Sequence, residues 1–431
     1  MKRFALVALL AAMLFGVASS ASATELKVKG NLDVYGLASS NLRDFNSDNP
    51  DGDNYMTTQR FRTYFTYVAN ENLKAVLGLE TNNIWGQGDQ SDWGTDGTTN
   101  LRVKHTYLDF NFPDTAINVK AGLQSVNLPG VFGNPIFGDD AAALVVSAPI
   151  NEMFGVSAGY TRGIDDNDNY DNTIGSTADL DKDDIDMAFV AAPITLDGFE
   201  VTPYFAYAWI GENVDVYTGT DDSTVWAVGA NAELTVFDPL TFAADLIYGV
   251  GENDDYETKG FYAALAASYK MDMLTATLFG TYAGGSDEDA DEDNALPTLS
   301  EGWELTPYIG GARAFSTGLS DGFASDSLGV GNDGLGIWTV GVILDNISFV
   351  ENLSHKLIIA YAEGTSDEDT ELFSEEDNGW EVYFVNKYMI YENLAAINEL
   401  GYFKGSSEIL DDADYDMDAS YFATVGFSYK F

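Results

Sequence analysis

This sequence predicts an all-β fold, a transmembrane antiparallel up-and-down β-barrel of 18 strands, with 16 as the alternative count. Three observations carry that expectation. Apolar and polar residues alternate with a period of two over most of the chain; short turns alternate with long acidic loops; and the last strand stays apolar on one face to a terminal aromatic residue.

The alternation is explicit. Leu26, Val28, Leu32 and Val34 face one way, with Lys27, Lys29, Asn31 and Asp33 between them. Phe199, Val201, Phe205, Tyr207 and Trp209 form a second such row, and Trp226, Val228, Ala230, Ala232, Leu234 and Val236 a third. A helix would repeat every 3.6 residues, so these segments are strands. Hairpins are expected to begin near 25/58, 73/101, 116/141, 153/185, 199/223, 240/259, 273/336, 353/379 and 394/419. Region 285–335 reads either as one long folded loop or as a loop hiding a further hairpin over Trp303 to Ile309.

Short connections include Pro113-Asp114, Asp238-Pro239, Glu351-Asn352 and Glu392-Asn393. Long ones are acidic, at 165–171, 179–186, 252–257, 286–293, 367–377 and 411–418. A soluble sandwich has no reason to sort its loops by length; a barrel in a bilayer does. Either strand count leaves an aqueous lumen, because side chains fill only barrels of about eight strands. Strands begin at once, which leaves no room for a plug domain ahead of the barrel.

Composition narrows the function. The chain has 431 residues with 69 acidic and 20 basic side chains, a net charge of −49 and no cysteine. Nucleic acid is excluded as a partner, because phosphate binding needs clustered Lys and Arg. Disulfides, thiolate metal sites and Cys nucleophiles are excluded outright. With 45% apolar residues the chain is ordered despite its charge. The two histidines, His105 and His355, have near them Asp109 and Glu351 but no serine at a recognisable spacing, so no enzyme, cofactor or metal site is expected. The acidic run 287–293 lacks the glycine and distant glutamate of a calcium loop and reads as a solvated loop tip.

Residues 1–23 read as a cleaved export signal. Met1-Lys2-Arg3 precedes an apolar run from Phe4 to Ala18, and Ala21-Ser22-Ala23 has the small-x-small cleavage pattern. The run is shorter than the roughly 20 apolar residues of a spanning helix. The mature barrel is then 24–431.

The terminal segment Tyr421 to Phe431 places Ala423, Val425, Phe427, Tyr429 and Phe431 on one face. It resembles the closing strand of outer-membrane proteins, where Phe427, Tyr429 and Phe431 would form the signal read by the barrel-assembly machinery. The mature chain as a whole resembles a Gram-negative porin, most of all the homotrimeric porins of sulfate-reducing bacteria. The matching pieces are the opening strand Leu26 to Gly36, the block Tyr107 to Gly122, and Asn134-Pro-Ile-Phe-Gly-Asp-Asp140. Gln124 departs from the arginine that general porins often carry after this block. The resemblance implies outer-membrane localisation, a homotrimer, contact with lipopolysaccharide and outer-membrane lipid, and a loop near 125–140 folded into the lumen. Small outward residues such as Ala263, Ala267 and Ala276 are compatible with a contact between copies.

A cation on the lipid face costs roughly 2–4 kcal/mol near mid-bilayer. Strand Lys and Arg residues should therefore face water: Lys27, Lys29, Arg60, Arg62, Lys74 and Lys120 by parity, and Arg102 and Lys104 with a bulge between His105 and Leu108. Facing this basic wall, Asp139 and Asp140 are the expected acids of the inward loop. The alternative is that the cations only solvate a wide lumen. The acidic mouth enriches cations, but its field is screened beyond about 8 Å; the basic wall acts against it, so the sign of selectivity stays open. The expected function is passive diffusion of small hydrophilic solutes and ions through a water-filled channel. The rivals are a substrate-specific channel, with inward Tyr35, Tyr64, Tyr204 and Tyr262 available for stacking, and a non-conducting structural or adhesive barrel.

Overall fold

The computed structural model describes residues 25–42, 45–48, 54–86, 94, 101–165, 184–211, 222–254, 257–287, 292–300, 302–315, 336–367, 373–407 and 417–431. The expected export signal 1–23, with Ala21 and Ala23, lies outside these residues, as do most of the acidic loop tips. No described helix is long and apolar enough to cross a membrane, and the described elements are strands.

In chain order they are β1 (Glu25–Ser40), β2 (Asn54–Asn70), β3 (Leu73–Ile84), β4 (Arg102–Asn111), β5 (Asn118–Asn127), β6 (Gly138–Pro149), β7 (Gly155–Asp165), β8 (Asp184–Ala191), β9 (Ile194–Leu196), β10 (Phe199–Ile210), β11 (Ser223–Phe237), β12 (Leu240–Glu252), β13 (Glu257–Lys270), β14 (Thr275–Ala283), β15 (Glu292–Asp293), β16 (Ile337–Val350), β17 (Leu353–Gly364), β18 (Asn378–Tyr391), β19 (Leu394–Ser406) and β20 (Ser420–Lys430). Pro193 interrupts one wall strand into β8 and β9, both of which pair with β10. The two-residue β15 is a loop segment lying parallel to β13. The wall therefore has 18 antiparallel strands, each bonded to its sequence neighbours. Pairing of β1 with β20, from Asn31↔Lys430 to Ser40↔Tyr421, closes it.

Local chemistry sets the connections. The turns at Glu351-Asn352 and Pro113-Asp114 each use a left-handed residue, and Asn352 (φ 65°) and Asp114 (φ 58°) supply it. All short turns fall at one end of the barrel. The hairpin alternative over Trp303–Ile309 is settled: no wall strand forms there, β14 pairs directly with β16, and Trp303, Tyr308 and Ile309 are buried.

Parity decides which face each residue takes. Outward positions are apolar and exposed, among them Leu246, Leu265, Leu278 and Val425. Aromatics ring the outer face towards the loop end, with contacts Trp226–Tyr248, Phe261–Tyr282, Trp338–Tyr361–Trp380 and Tyr402–Tyr421. Tyr269, Tyr388, Tyr429 and Phe431 mark the turn end. Phe431 stacks on Phe61 (5.9 Å) and on Tyr429 (5.8 Å), so the last side chain covers the β1–β20 closure.

The bulge on β4 falls one step from its expected place. Gly78 pairs His105 and Leu79 pairs Val103, which leaves Lys104 as the extra residue.

Replacing Leu246, which stands outward on β12, with arginine is expected to cost about 2–4 kcal/mol of unfolding free energy in lipid. The same replacement at the lumen-facing Ser428 should cost far less. Urea unfolding in lipid vesicles measures both.

Candidate functional site

Among the described residues, two chain segments outside the wall reach far across the lumen. One is 128–137, between β5 and β6. Leu128, Asn134, Ile136 and Phe137 are buried in it. It reaches across to strands far away in sequence: Asn134 Nδ2 donates to Tyr204 Oη on β10 (2.8 Å), the Val131 amide donates to Asp245 Oδ2 on β12 (2.6 Å), and Phe132 packs edge-on against Phe279 of β14 (5.4 Å).

The second segment is 294–300 with 302–315, from the connection between β14 and β16. Trp303 Nε1 donates to Tyr262 Oη on β13 (2.9 Å). Further on, the Thr306 hydroxyl and the Tyr308 amide (3.2 Å) both donate to Glu381 of β18. Glu399 on β19 takes the Ala314 amide (2.8 Å), the Tyr383 hydroxyl (2.6 Å) and the Arg313 guanidinium (3.1 Å). Arg313 also lies over the Phe422 ring (5.0 Å), and Phe315 stacks on Tyr35 (4.5 Å). Burial pushes the Tyr308 phenol above its ordinary range, so it stays neutral against Ser420 Oγ (2.9 Å).

The two segments hold each other. Glu304 N donates to Phe132 O (2.7 Å), Gly302 N to Asn134 O (2.9 Å), Leu299 N to Ile136 O (3.0 Å), and Gly138 N to Ser300 O (2.7 Å). Gly133 makes the crossing possible. Its φ is +79°, and a Cβ there would stand 1.7 Å from Gly302 O.

The expected basic wall faces inward but is largely neutralised in place. Arg60, Arg62 and Arg102 converge on one carboxylate, Glu80, with Arg60 and Arg102 each at 2.8 Å. Lys74 pairs with Asp109 (3.0 Å), which Asn118 also bonds (2.8 Å), and Lys120 stands opposite the same aspartate. Lys104 and His105 (2.8 Å) share Asp140. Lys27 meets Glu25 at the turn end (3.5 Å).

Asp139 and Asp140 require a correction. They are the second and third residues of β6, not loop residues. Asp140 shares its parity with the outward Leu144, yet meets the inward His105. The contact falls where β5 no longer pairs with β4, beyond Leu123, and where β6 does not yet pair with β7, before Ala142, so that 124–127 and 138–141 pair only with each other. Asp140 thus belongs to the basic wall instead of opposing it. Asp139 accepts from Ser300 Oγ of the second segment (2.9 Å).

Cavities lie beside the segments, two of which bear on the site. The larger, of about 770 Å³, opens at the turn end below Ala314 and is lined by Lys29, Asp33, Arg62, Tyr64, Lys387 and Lys430, among others. Lys29, Lys387 and Lys430 form no ion pair among the described residues. The smaller, of about 390 Å³, lies between Asp139, Met187, Leu299 and Ser300. Three of the four inward tyrosines considered for solute stacking have other work: Tyr35, Tyr204 and Tyr262 anchor the two segments, while Tyr64 packs beside His105 (5.4 Å).

Asp245, Glu381 and Glu399 are the functional residues that sequence reasoning missed. Their signal was present: each is an inward carboxylate whose same-face neighbours are apolar, aromatic or glycine, as Glu381 lies between Gly379 and Tyr383. Such an acid needs partners brought to it.

A closed wall with an apolar belt, aromatic rims and a partly filled polar lumen defines an outer-membrane type of β-barrel. No protein-family model matches the sequence, and no curated protein matches it. Solved structures do match. Pseudomonas aeruginosa OccK11 (OpdR) aligns with a TM-score of 0.54 at 10% identity, over 94% of this chain and 96% of that one. Acinetobacter baumannii OccAB3 aligns at 0.53 and 11%, over 94% and 100%. The outer membrane protein OprD from Pseudomonas aeruginosa aligns at 0.53 and 11%, over 94% and 94%. At this identity the likeness is one of fold.

Glu399→Ala leaves Arg313 buried without its carboxylate, removes the Phe315 amide's acceptor, and leaves the Ala314 amide only Tyr383 Oη (2.9 Å), itself deprived of its acceptor. Removing one partner of a buried pair costs about 3–5 kcal/mol. Hydrogen exchange should show lost protection at Ala314 and Phe315 with β19 amides still protected, and Glu399→Gln should lose less.

Proposed function

We propose that this protein is an outer-membrane channel through which small hydrophilic solutes and ions pass down their gradients. The observation that carries this reading is the 18-strand closed wall around a lumen whose turn-end cavity of about 770 Å³ is lined by charged side chains. A purely structural barrel has no need of inward lysines that form no ion pair among the described residues. Transport needs no cofactor and no covalent chemistry.

The path is narrower than a plain 18-strand lumen, because segments 128–137, 294–300 and 302–315 cross it. Their anchoring favours, as a second reading, a channel that selects its solute. Solute would pass beside the crossing and the neutralised arginine cluster at Glu80. As the resemblance implies, residues 1–23 are removed on export, the barrel-assembly machinery reads Phe427, Tyr429 and Phe431, and the mature barrel forms a homotrimer among lipopolysaccharide and outer-membrane lipid. Short turns then face the periplasm and the acidic loops face outward.

The test is conductance of the refolded mature protein across a planar bilayer under a salt gradient. Ohmic steps that grow linearly with solute support the open channel; flux that saturates moves the assignment to the solute-selecting reading. Inserted protein without steps overturns both in favour of a structural barrel. Changing Lys29, Lys387 and Lys430 together to glutamine should move the reversal potential towards cation preference, because fixed charge acts most strongly where ions lose water.

A further inference from the structure

On the outer face of β17, β18 and β19 lies a row of polar side chains. His355 pairs in register with Asn386, and Asn386 with Asn398. Parity puts all three outward, alongside Leu357, Phe384 and Leu400 in the next row towards the loops and Leu353, Tyr388 and Ala396 in the next row towards the turns. The row is bonded end to end: His355 Nδ1 to Asn386 Oδ1 (2.7 Å), Asn386 Nδ2 to Asn398 Oδ1 (3.0 Å), and Asn398 Nδ2 to the Thr424 carbonyl (2.8 Å).

Depth makes the row costly. Asn398 lies opposite Val425, midway between the outward rings of Tyr421 and Tyr429 on β20. At about 3.3 Å per residue, it stands well inside the apolar belt. Acyl chains offer it nothing, and a polar group unsatisfied in hydrocarbon is strongly disfavoured. The internal bonds do not exhaust the row. With Nδ1 donating to Asn386, His355 Nε2 is an acceptor with no partner among the described residues, and the Asn386 amide keeps a second N–H, whereas Asn398 Nδ2 also reaches the Glu399 carbonyl (3.5 Å).

We propose that this face of β17–β19 is where copies of this chain meet. The occupant follows from chemistry. An amide carries both donor and acceptor, so the rows of copies gathered around one axis are complementary to each other, and the imidazole acceptor can take a spare amide hydrogen across the contact. Lipid supplies neither at that depth. The reading names the surface used by the oligomer under the proposed function, and places it away from Ala263, Ala267 and Ala276 on β13 and β14.

The natural chain has no cysteine, so single cysteines report contacts cleanly. Asn386→Cys, Asn398→Cys, Ala267→Cys and Val190→Cys, the last on the outer face of β8, are made in the full chain. Each is oxidised in native membranes, with heat-modifiable gel migration selecting folded barrels. Reducible dimers with N386C or N398C, and none with A267C or V190C, are the expected result. The proposal is overturned if neither row position cross-links, or if A267C or V190C does so at least as well. As a second readout, Asn386→Leu with Asn398→Leu should shift the folded protein to a smaller particle by light scattering; an unchanged mass also overturns it. Conductance of that double variant is read separately, so a failed contact does not bear on the channel.

Discussion

Closure governs everything else in this molecule. A strand edge cannot be left open in hydrocarbon, where no water is available for its amides and carbonyls. The β1–β20 pairing removes the last edge. Once the cylinder closes, every strand acquires one face for lipid and one for the interior. The period-two pattern is then a map of two environments. Lysines and arginines of β1 to β5 go inward for this reason, before any specific partner is considered.

Closure also creates the space that the interior must manage. Eighteen strands enclose more volume than wall side chains fill. Segments 128–137, 294–300 and 302–315 occupy part of it, and the wall meets them with carboxylates at Asp245, Glu381 and Glu399. Backbone amides that a loop would otherwise expose to water are taken up by these acids. The arrangement puts negative groups where they bind protein, while Glu80, Asp109 and Asp140 absorb much of the positive wall. A net charge of −49 therefore says little about the charge felt inside. Lys29, Lys387 and Lys430, which make no ion pair among the described residues, lie at the turn end in the larger cavity.

Much of the wall was legible because its physics is local. Alternation, turn residues such as Asp114 and Asn352, and the apolar terminal strand each act within a few positions. Strand starts agree with the structure to within a few residues, and the count of 18 holds. Lys104 shows how a local reading slips: a bulge shifts parity by one, and its placement depends on how β3 and β4 register against each other. The acids Asp139 and Asp140 show a deeper failure. Asp140 meets His105 and Lys104 from two strands away, where β5 no longer pairs with β4 beyond Leu123.

What the sequence determined by itself was the closed antiparallel barrel, its inward cations, its outward apolar belt and the sorting of short turns from long loops. These follow from nearest-neighbour chemistry and the two-sided strand. Only the tertiary structure decided what fills the lumen. The bonds from Asn134 to Tyr204, from Arg313 to Glu399 and the stacking of Phe315 on Tyr35 join residues far apart in the chain. No periodicity encodes such meetings, because they depend on where two separate segments fall when the cylinder is closed.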